Sequence, residues 1–275
     1  MLWVKENADV VSATQGFIRI FGSVQDPVVE VSRNAADDNA RIAWVLFGSA
    51  LFQKISFPAF RKVFSAIFDA YPGERLWNFP LPAETALLRV AKAELGRIAW
   101  DNLEQLPGIF WSTGSFVRHH GPLADWLKQH TVRELWRDLG EIHFMGKKAH
   151  RPKAVHTLLR LLAPAPVGLG LACAPSADAL PLPLTMGARR WIGFVGPGKD
   201  LHYSTMDESA KLRLGLSLYP ELCRETPALA AHGLQFFLED GSSDFLCREY
   251  TETCVKCPLS PFCCKSKAET YETKF

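Results

Sequence analysis

Long apolar runs are missing from this chain: nothing in its 275 residues approaches a membrane-spanning stretch, which takes about twenty consecutive apolar residues. The opening residues, MLWVKENADVV, lack the basic start and unbroken apolar stretch of a secretion signal. The expected location is therefore the cytoplasm, where reduced thiols suit ligation better than disulfides. Alternating apolar and polar runs are scarce, which argues against a sheet, and neither an internal repeat nor a low-complexity tract is evident. A large net charge is missing too. Lys and Arg number 31 against 29 Asp and Glu, leaving +2, too little to announce a nucleic-acid partner by itself.

What is present is an ordinary core-forming composition, 48% hydrophobic with 11% aromatics, enough for one large domain or two modest ones. Helical periodicity dominates. The segments AADDNARIAWVLFGSALF, FPAFRKVFSAIFDA, ETALLRVAKAEL, VRELWRDL, KAVHTLLRLLA, GARRWIGFV, ESAKLRLGLSL and PALAAHGLQFFL all place apolar residues three and four apart. The fold class is all-α. Breaks are expected where Gly and Pro gather, at YPGE (71–74), LPG (106–108), APAPVGLG (163–170), PLPL (181–184) and GPGK (196–199). Near the start, GFIRIFGSVQDPVVEV reads as a short strand or as an irregular arm.

Four of the seven cysteines, Cys247, Cys254, Cys257 and Cys263, form a C-x6-C-x2-C-x5-C run. Pro258 and Pro261 keep this segment out of a helix, so that four thiols can converge on one centre. We read it as a [4Fe–4S] loop. A zinc site and two disulfides are the other readings; a zinc knuckle usually repeats a short C-x2-C pair, whereas here only Cys254 and Cys257 are so spaced. Cys263 is preferred to Cys264 as the fourth ligand on spacing alone. Cys173 and Cys223 stand apart and read as small buried apolar residues.

Basic residues crowd two stretches. One holds Lys147, Lys148, His150, Arg151, Lys153, His156 and Arg160; the other holds Arg189, Arg190, Lys199, Lys211 and Arg213. Each reads as a phosphate-binding surface or as a solvated helix face. Between Pro181 and Asp207, a turn at Leu184-Thr185-Met186-Gly187 leads into an apolar-faced helix from Ala188 to Val195. Backbone N–H groups at such a turn can hold phosphate without reading sequence; a plain helix–turn–helix connection is the alternative.

The stretches PLTMGARRW and TMDESAKLR, followed by the four cysteines, resemble in order the helix-hairpin-helix (HhH-GPD) DNA glycosylases of the endonuclease III and MutY type. FMGKKAHRPKAVHTLLRLL resembles the family's helix before the hairpin, and IAWVLFGSALFQKISFPAF its early helix ending in a DNA-probing Gln, here Gln53. The resemblance covers most of residues 40–70 and 131–264. It implies a six-helix barrel-like domain plus a helical iron-sulfur domain. The expected organisation is an arm over 1–40 packed on the cluster domain, then a helical domain over 41–200. That domain would hold the hairpin at 172–195 and an unmatched insert at 71–130; residues 201–275 would carry the Asp207 helix and the cluster loop.

Departures refine what the resemblance implies. Thr185 replaces the first hairpin glycine, and Arg189 stands where bifunctional members carry a nucleophilic lysine; arginine stays protonated and cannot form a Schiff base. The glutamate acid of the adenine-excising branch has no counterpart in VLFGSALFQ. Asp207 matches the family's invariant aspartate and is the candidate catalytic carboxylate, stabilising positive charge on the sugar and orienting water. Its other reading is a helix cap, within a Thr205/Glu208 capping box. Asp200 is the rival acid. Met186, Gly187, Arg189, Arg190, Gln53, Lys147, Lys148 and Arg151 are the candidate DNA contacts. Phe110, Trp111, His119 and His120 are candidate base-pocket residues by stacking, or else core. Lys256, Lys265 and Lys267 would ride on the cluster loop toward phosphate.

The expected activity is that of a monofunctional glycosylase acting, as a monomer and away from membranes, on double-stranded DNA with a damaged or modified base. Attack on hypermodified foreign DNA, a catalytically inactive iron-sulfur DNA-binding protein, and a zinc-stabilised helical interaction protein are the competing classes.

Overall fold

The computed structural model describes residues 2–52, 55–71, 84–96, 100, 103–143, 145, 152–171, 182–199, 203–237, 254 and 257–264. Among them every regular element is helical, as the 3.6-residue periodicity requires, and no strand occurs. The α-helices run in order: α1 (Leu2–Glu6), α2 (Ala8–Gly22), α3 (Pro27–Ser32), α4 (Asp38–Leu51), α5 (Phe57–Ala70), α6 (Glu84–Leu95), α7 (Leu106–His120), α8 (Leu123–Gln129), α9 (Val132–Asp138), α10 (Pro152–Leu162), α11 (Met186–Phe194), α12 (Glu208–Leu222) and α13 (Pro227–Gln235). No described helix is long and apolar enough to cross a membrane.

Short polar side chains start these helices by taking up N–H groups that the first turn leaves without partners. Asp26 accepts from Val28 and Val29 at α3, Asp37 from Ala40 at α4, and Ser56 from Ala59 at α5, which also has a proline in its first turn. At α9, Thr131 and Glu134 complete a reciprocal capping box. The α3 segment corrects the expectation of a strand or irregular arm. Its Val28, Val29 and Val31 favour a strand by propensity, yet a capping Asp26, Pro27 at the first position and burial of all three valines make it a helix.

The chain divides into two compact units, residues 25–181 and residues 1–24 with 182–275. In the 25–181 unit, every residue of α4 from Ile42 to Leu51 is buried. A helix apolar on all sides belongs at the centre of a domain. Trp44 and Phe47 meet Phe64 of α5 at ring separations of 5.6 and 6.2 Å, and Phe110 of α7 meets Phe47 edge-on at 6.0 Å. Each fully buried phenylalanine contributes about 1.5–3 kcal/mol through removal from water.

In the other unit, α2 lies along α13. Phe17 and Phe21 meet Phe237 and Phe236, each at 6.0 Å, and His232 Nε2 donates to the Val24 carbonyl at 2.7 Å. Trp191 of α11 donates its indole N–H to Thr14 Oγ1 at 3.1 Å, and the Tyr219 hydroxyl of α12 donates to the Pro183 carbonyl at 2.7 Å. Residues 1–24 are therefore two helices built into this unit, while 25–40 belong to the other. Residues 182–199, expected with the helical domain, group instead with the α12 segment.

Candidate functional site

The starts of α11 and α12 bring together the residues singled out between 185 and 213. Thr185 caps α11, its Oγ1 accepting from Ala188 N at 3.0 Å. The turn expected at 184–187 is thus the first turn of a helix, with Met186 exposed and Gly187 buried. A Cβ at Gly187 would collide with the backbone carbonyls of Leu234 and Gln235 at the end of α13. Close approach of two helices demands glycine here. Met186 keeps 60% of its surface, a large apolar side chain left open at this helix start.

Arg189 Nη1 donates to Glu208 Oε2 at 2.7 Å, and Lys211 Nζ donates to Glu208 Oε1 at 3.1 Å. These two donors, Arg189 foremost, hold the Glu208 carboxyl below its ordinary range. Lys211 Nζ also lies 5.5 Å from the centre of the Tyr203 ring. The Tyr203 hydroxyl is buried with no hydrogen-bond partner among the described residues, and burial pushes its pKa up. Asp207 is exposed and caps α12, Oδ1 accepting from Ala210 N at 2.7 Å. The cap is Asp207 itself. The expected Thr205/Glu208 box is not formed, because Thr205 lies in a 3-10 turn (Tyr203–Thr205) and Glu208 faces the two cations. Arg190 is half-buried and Arg213 exposed, so the α11–α12 starts carry one capping carboxylate among several positive charges.

In the cysteine segment, Cys257 N donates to Cys254 O at 3.2 Å, closing a turn that brings the two ends of the C-x2-C pair near each other. A 3-10 turn follows (Ser260–Phe262), with Leu259 fully buried. Cys263 is 6% exposed, whereas Cys264 is exposed. A turn-closed pair followed by an inward thiol is a donor set compatible with a thiolate-held centre. No three described cysteines bring their sulfurs within 4.8 Å of one another. Cys247 lies outside the described residues, as do Cys173, Asp200, Lys256, Lys265 and Lys267.

The described part of the insert is mainly helical, and LPG at 106–108 opens α7 rather than ending a helix. Proline at an early helical position loses nothing, since its N–H would have no partner there. The four aromatic and imidazole candidates do not form one wall. Phe110 is a core residue, 5% exposed, which corrects its assignment to a base pocket; Trp111, on the adjacent face, is 44% exposed. His119 and His120 stand at the far end of α7. There His120 packs on Phe116 at 4.1 Å and Trp126 at 5.9 Å, with Nε2 3.2 Å from Glu141 Oε2. A cleft of ≈ 320 Å³ beside them is lined by Ser112, Ser115, Phe116, His119 and Glu141.

The first basic stretch separates as well. Lys147, Lys148, His150 and Arg151, like Gln53, lie outside the described residues. Arg160 is buried, its Nε and Nη2 donating to Asp26 Oδ2 at 3.0 and 2.8 Å and its Nη1 to Ser49 Oγ at 3.1 Å. Lys153 Nζ donates to the Ala50 carbonyl at 2.9 Å. Burial, seconded by repulsion from Arg160, pushes the Lys153 ammonium down to about 7. Arg160 is thus a buried, paired cation and Lys153 a partly buried amine turned onto a carbonyl, rather than members of one solvated face. Asp26, Glu141 and Tyr203 were not singled out from the sequence; Asp26 and Glu141 meet Arg160 and His120, 134 and 21 residues away, which leaves no local pattern.

Comparison of the chain with known protein families, curated proteins and solved structures finds no match.

Proposed function

We propose that this chain is a monofunctional DNA glycosylase that hydrolyses the N-glycosyl bond of a damaged or modified base in double-stranded DNA and leaves an abasic site. The observation that carries the reading is the Arg189–Glu208 pair at 2.7 Å. It joins the position of the family's nucleophilic lysine to the helix that Asp207 caps. In this reading the target nucleotide leaves the stack, and the Asp207 carboxylate faces its sugar. As the C1′–N bond breaks, the base departs with the electron pair, and Asp207 stabilises the positive charge left on the sugar. Water adds at C1′ and gives its proton to the carboxylate.

Arg189 remains a cation throughout and forms no covalent adduct. With Arg190, Lys211 and Arg213 it supplies positive charge for the DNA backbone. Cys247, Cys254, Cys257 and Cys263 would hold a [4Fe–4S] cluster, a structural tie for the C-terminal segment and not a reactant. The inward Cys263 and exposed Cys264 support that choice of fourth ligand. The architecture that goes with this reading is the family's barrel-like helical domain with an iron-sulfur domain.

A second reading, an inactive iron-sulfur DNA-binding protein, is favoured by the Asp207–Ala210 hydrogen bond, which already employs the carboxylate structurally. A panel of duplexes, each bearing one altered base, separates the two. Alkali-labile breaks at one lesion are expected from the enzyme; salt-sensitive binding with no break on any duplex, hypermodified bases included, overturns it.

A further inference from the structure

We infer that His119, His120 and Glu141 form a binding site for a zinc-type divalent cation in the 25–181 unit. Their ligand atoms, two ring nitrogens and a carboxylate oxygen, all lie within 4.8 Å of one another, the one such group of three among the described residues. His120 Nε2 and Glu141 Oε2 are 3.2 Å apart. Two ligands of a tetrahedral centre with metal bonds of roughly 2.0–2.1 Å stand about 3.3 Å apart, so this pair already spans one edge of the polyhedron. The distance is long for a charge-assisted hydrogen bond, which draws in to about 2.7–2.9 Å.

The frame behind the three ligands is fixed. Phe116 and Trp126 clamp the His120 ring from inside, which sets the direction of its nitrogen as packed neighbours of a metal-bound histidine do. Glu141 projects from a 3-10 turn (Leu139–Glu141) between two anchors, Leu139 at 0% and Ile142 at 1% exposure. The next residue, His143, donates its backbone N–H to Ser112 Oγ at 3.0 Å and so ties the turn to α7. Exposed His119, its ring centre 4.9 Å from that of His120, completes the set.

Position in the fold favours positive charge as well. The ligands gather where the 15-residue α7 ends, and the last carbonyls of a helix attract a cation. Gly121, with φ 66, then turns the chain away in a left-handed conformation that other residues rarely adopt. Three protein ligands leave a fourth position. It opens on the ≈ 320 Å³ cleft, where Ser112 and Ser115 lie one and two turns back along the same helical face as His119. An exchangeable water fits there, as in sites of two imidazoles and one carboxylate. Two imidazoles select zinc-type cations over magnesium and calcium, which take oxygen ligands.

The inference is independent of the reading of Asp207 and of the cysteine loop, and its test keeps them apart. The full-length protein, freed of loosely held metal by a chelator, is titrated calorimetrically with Zn2+ beside His119→Ala, Glu141→Gln and Cys254→Ser. Expected is one zinc equivalent that weakens at least tenfold in each of the first two variants and is unchanged in the third. Both altered residues are exposed, so far-ultraviolet circular dichroism should stay that of the wild type. Co2+ added to unaltered protein supplies a reading that needs no variant: a visible difference band displaced by Zn2+ and not by Mg2+. Zinc binding equally tight in His119→Ala and Glu141→Gln, no zinc bound, or no cobalt band would overturn the site.

Discussion

Arg160 grips Asp26 through two donors on one carboxylate oxygen, Nε at 3.0 Å and Nη2 at 2.8 Å, across 134 residues of sequence. The other oxygen of Asp26 caps α3, so this one pair fastens α10 to the start of the 25–181 unit. Both side chains are under 8% exposed. Arg160→Ala would leave a buried carboxylate without its counter-charge, and the expected loss is about 3–5 kcal/mol. Urea unfolding checks it; a loss below about 1 kcal/mol, the value of an exposed pair, would mean that the carboxylate finds other solvation.

Gly187→Ala tests whether this glycine serves packing or phosphate. A Cβ there meets the Leu234 and Gln235 carbonyls, so α11 must move from α13 at about 1–3 kcal/mol, the usual range for overpacking. Thermal unfolding should register the change. Unaltered stability with weakened DNA binding would return Gly187 to a phosphate role.

Asp207→Asn keeps the cap, because asparagine serves an N-terminus as well as aspartate, and removes the negative charge. Excision should fall about 10²-fold or more with little change in stability or DNA affinity. The product of the wild type should be an intact abasic strand, and borohydride should trap no covalent adduct. A trapped adduct would overturn the monofunctional mechanism, and full activity in the variant would leave Asp207 a cap alone.

Lys153 gives stability a pH dependence. Its ordinary value of 10.5 is lowered to about 7 by burial, so between these values the unfolded chain holds a proton that the folded one has released. Stability from this group therefore rises from about pH 7 to about pH 10.5 and is lowest below that window. Lys153→Met should flatten the rise. Urea midpoints at pH 7 and pH 9 measure it, and an identical difference in both proteins would assign the dependence to other groups.

The cysteine loop predicts a colour. Protein purified without oxygen should be brown from thiolate-to-iron charge transfer, Cys254→Ser and Cys263→Ser should lose the colour, and Cys264→Ser should keep it. Stoichiometric zinc without iron in metal analysis would sink the cluster.

Helix identity was legible because it depends on spacing within a few residues. FPAFRKVFSAIFDA and ETALLRVAKAEL occupy α5 and α6 from end to end. The helix starting at Leu106 escaped notice because Pro107 reads as a breaker, although at a first turn the same residue favours the helix. At the candidate site, Asp207 and Arg189 stood out in sequence, but that Glu208 would join their helices did not. That pairing requires two helix starts 19 residues apart to face each other.

The sequence by itself determined the all-helical class, the place of eight of the helices and the order of chemically suggestive residues, since periodicity, caps and ligand spacing act over one or two turns. Tertiary structure alone decided that residues 1–24 belong with 182–275, that Gly187 is a contact between helices and Phe110 a core residue, and that Glu141 meets His120. Each of these depends on which apolar faces bury each other. The free energy of that burial is set by area and shape across the whole unit, and no short window of residues contains it.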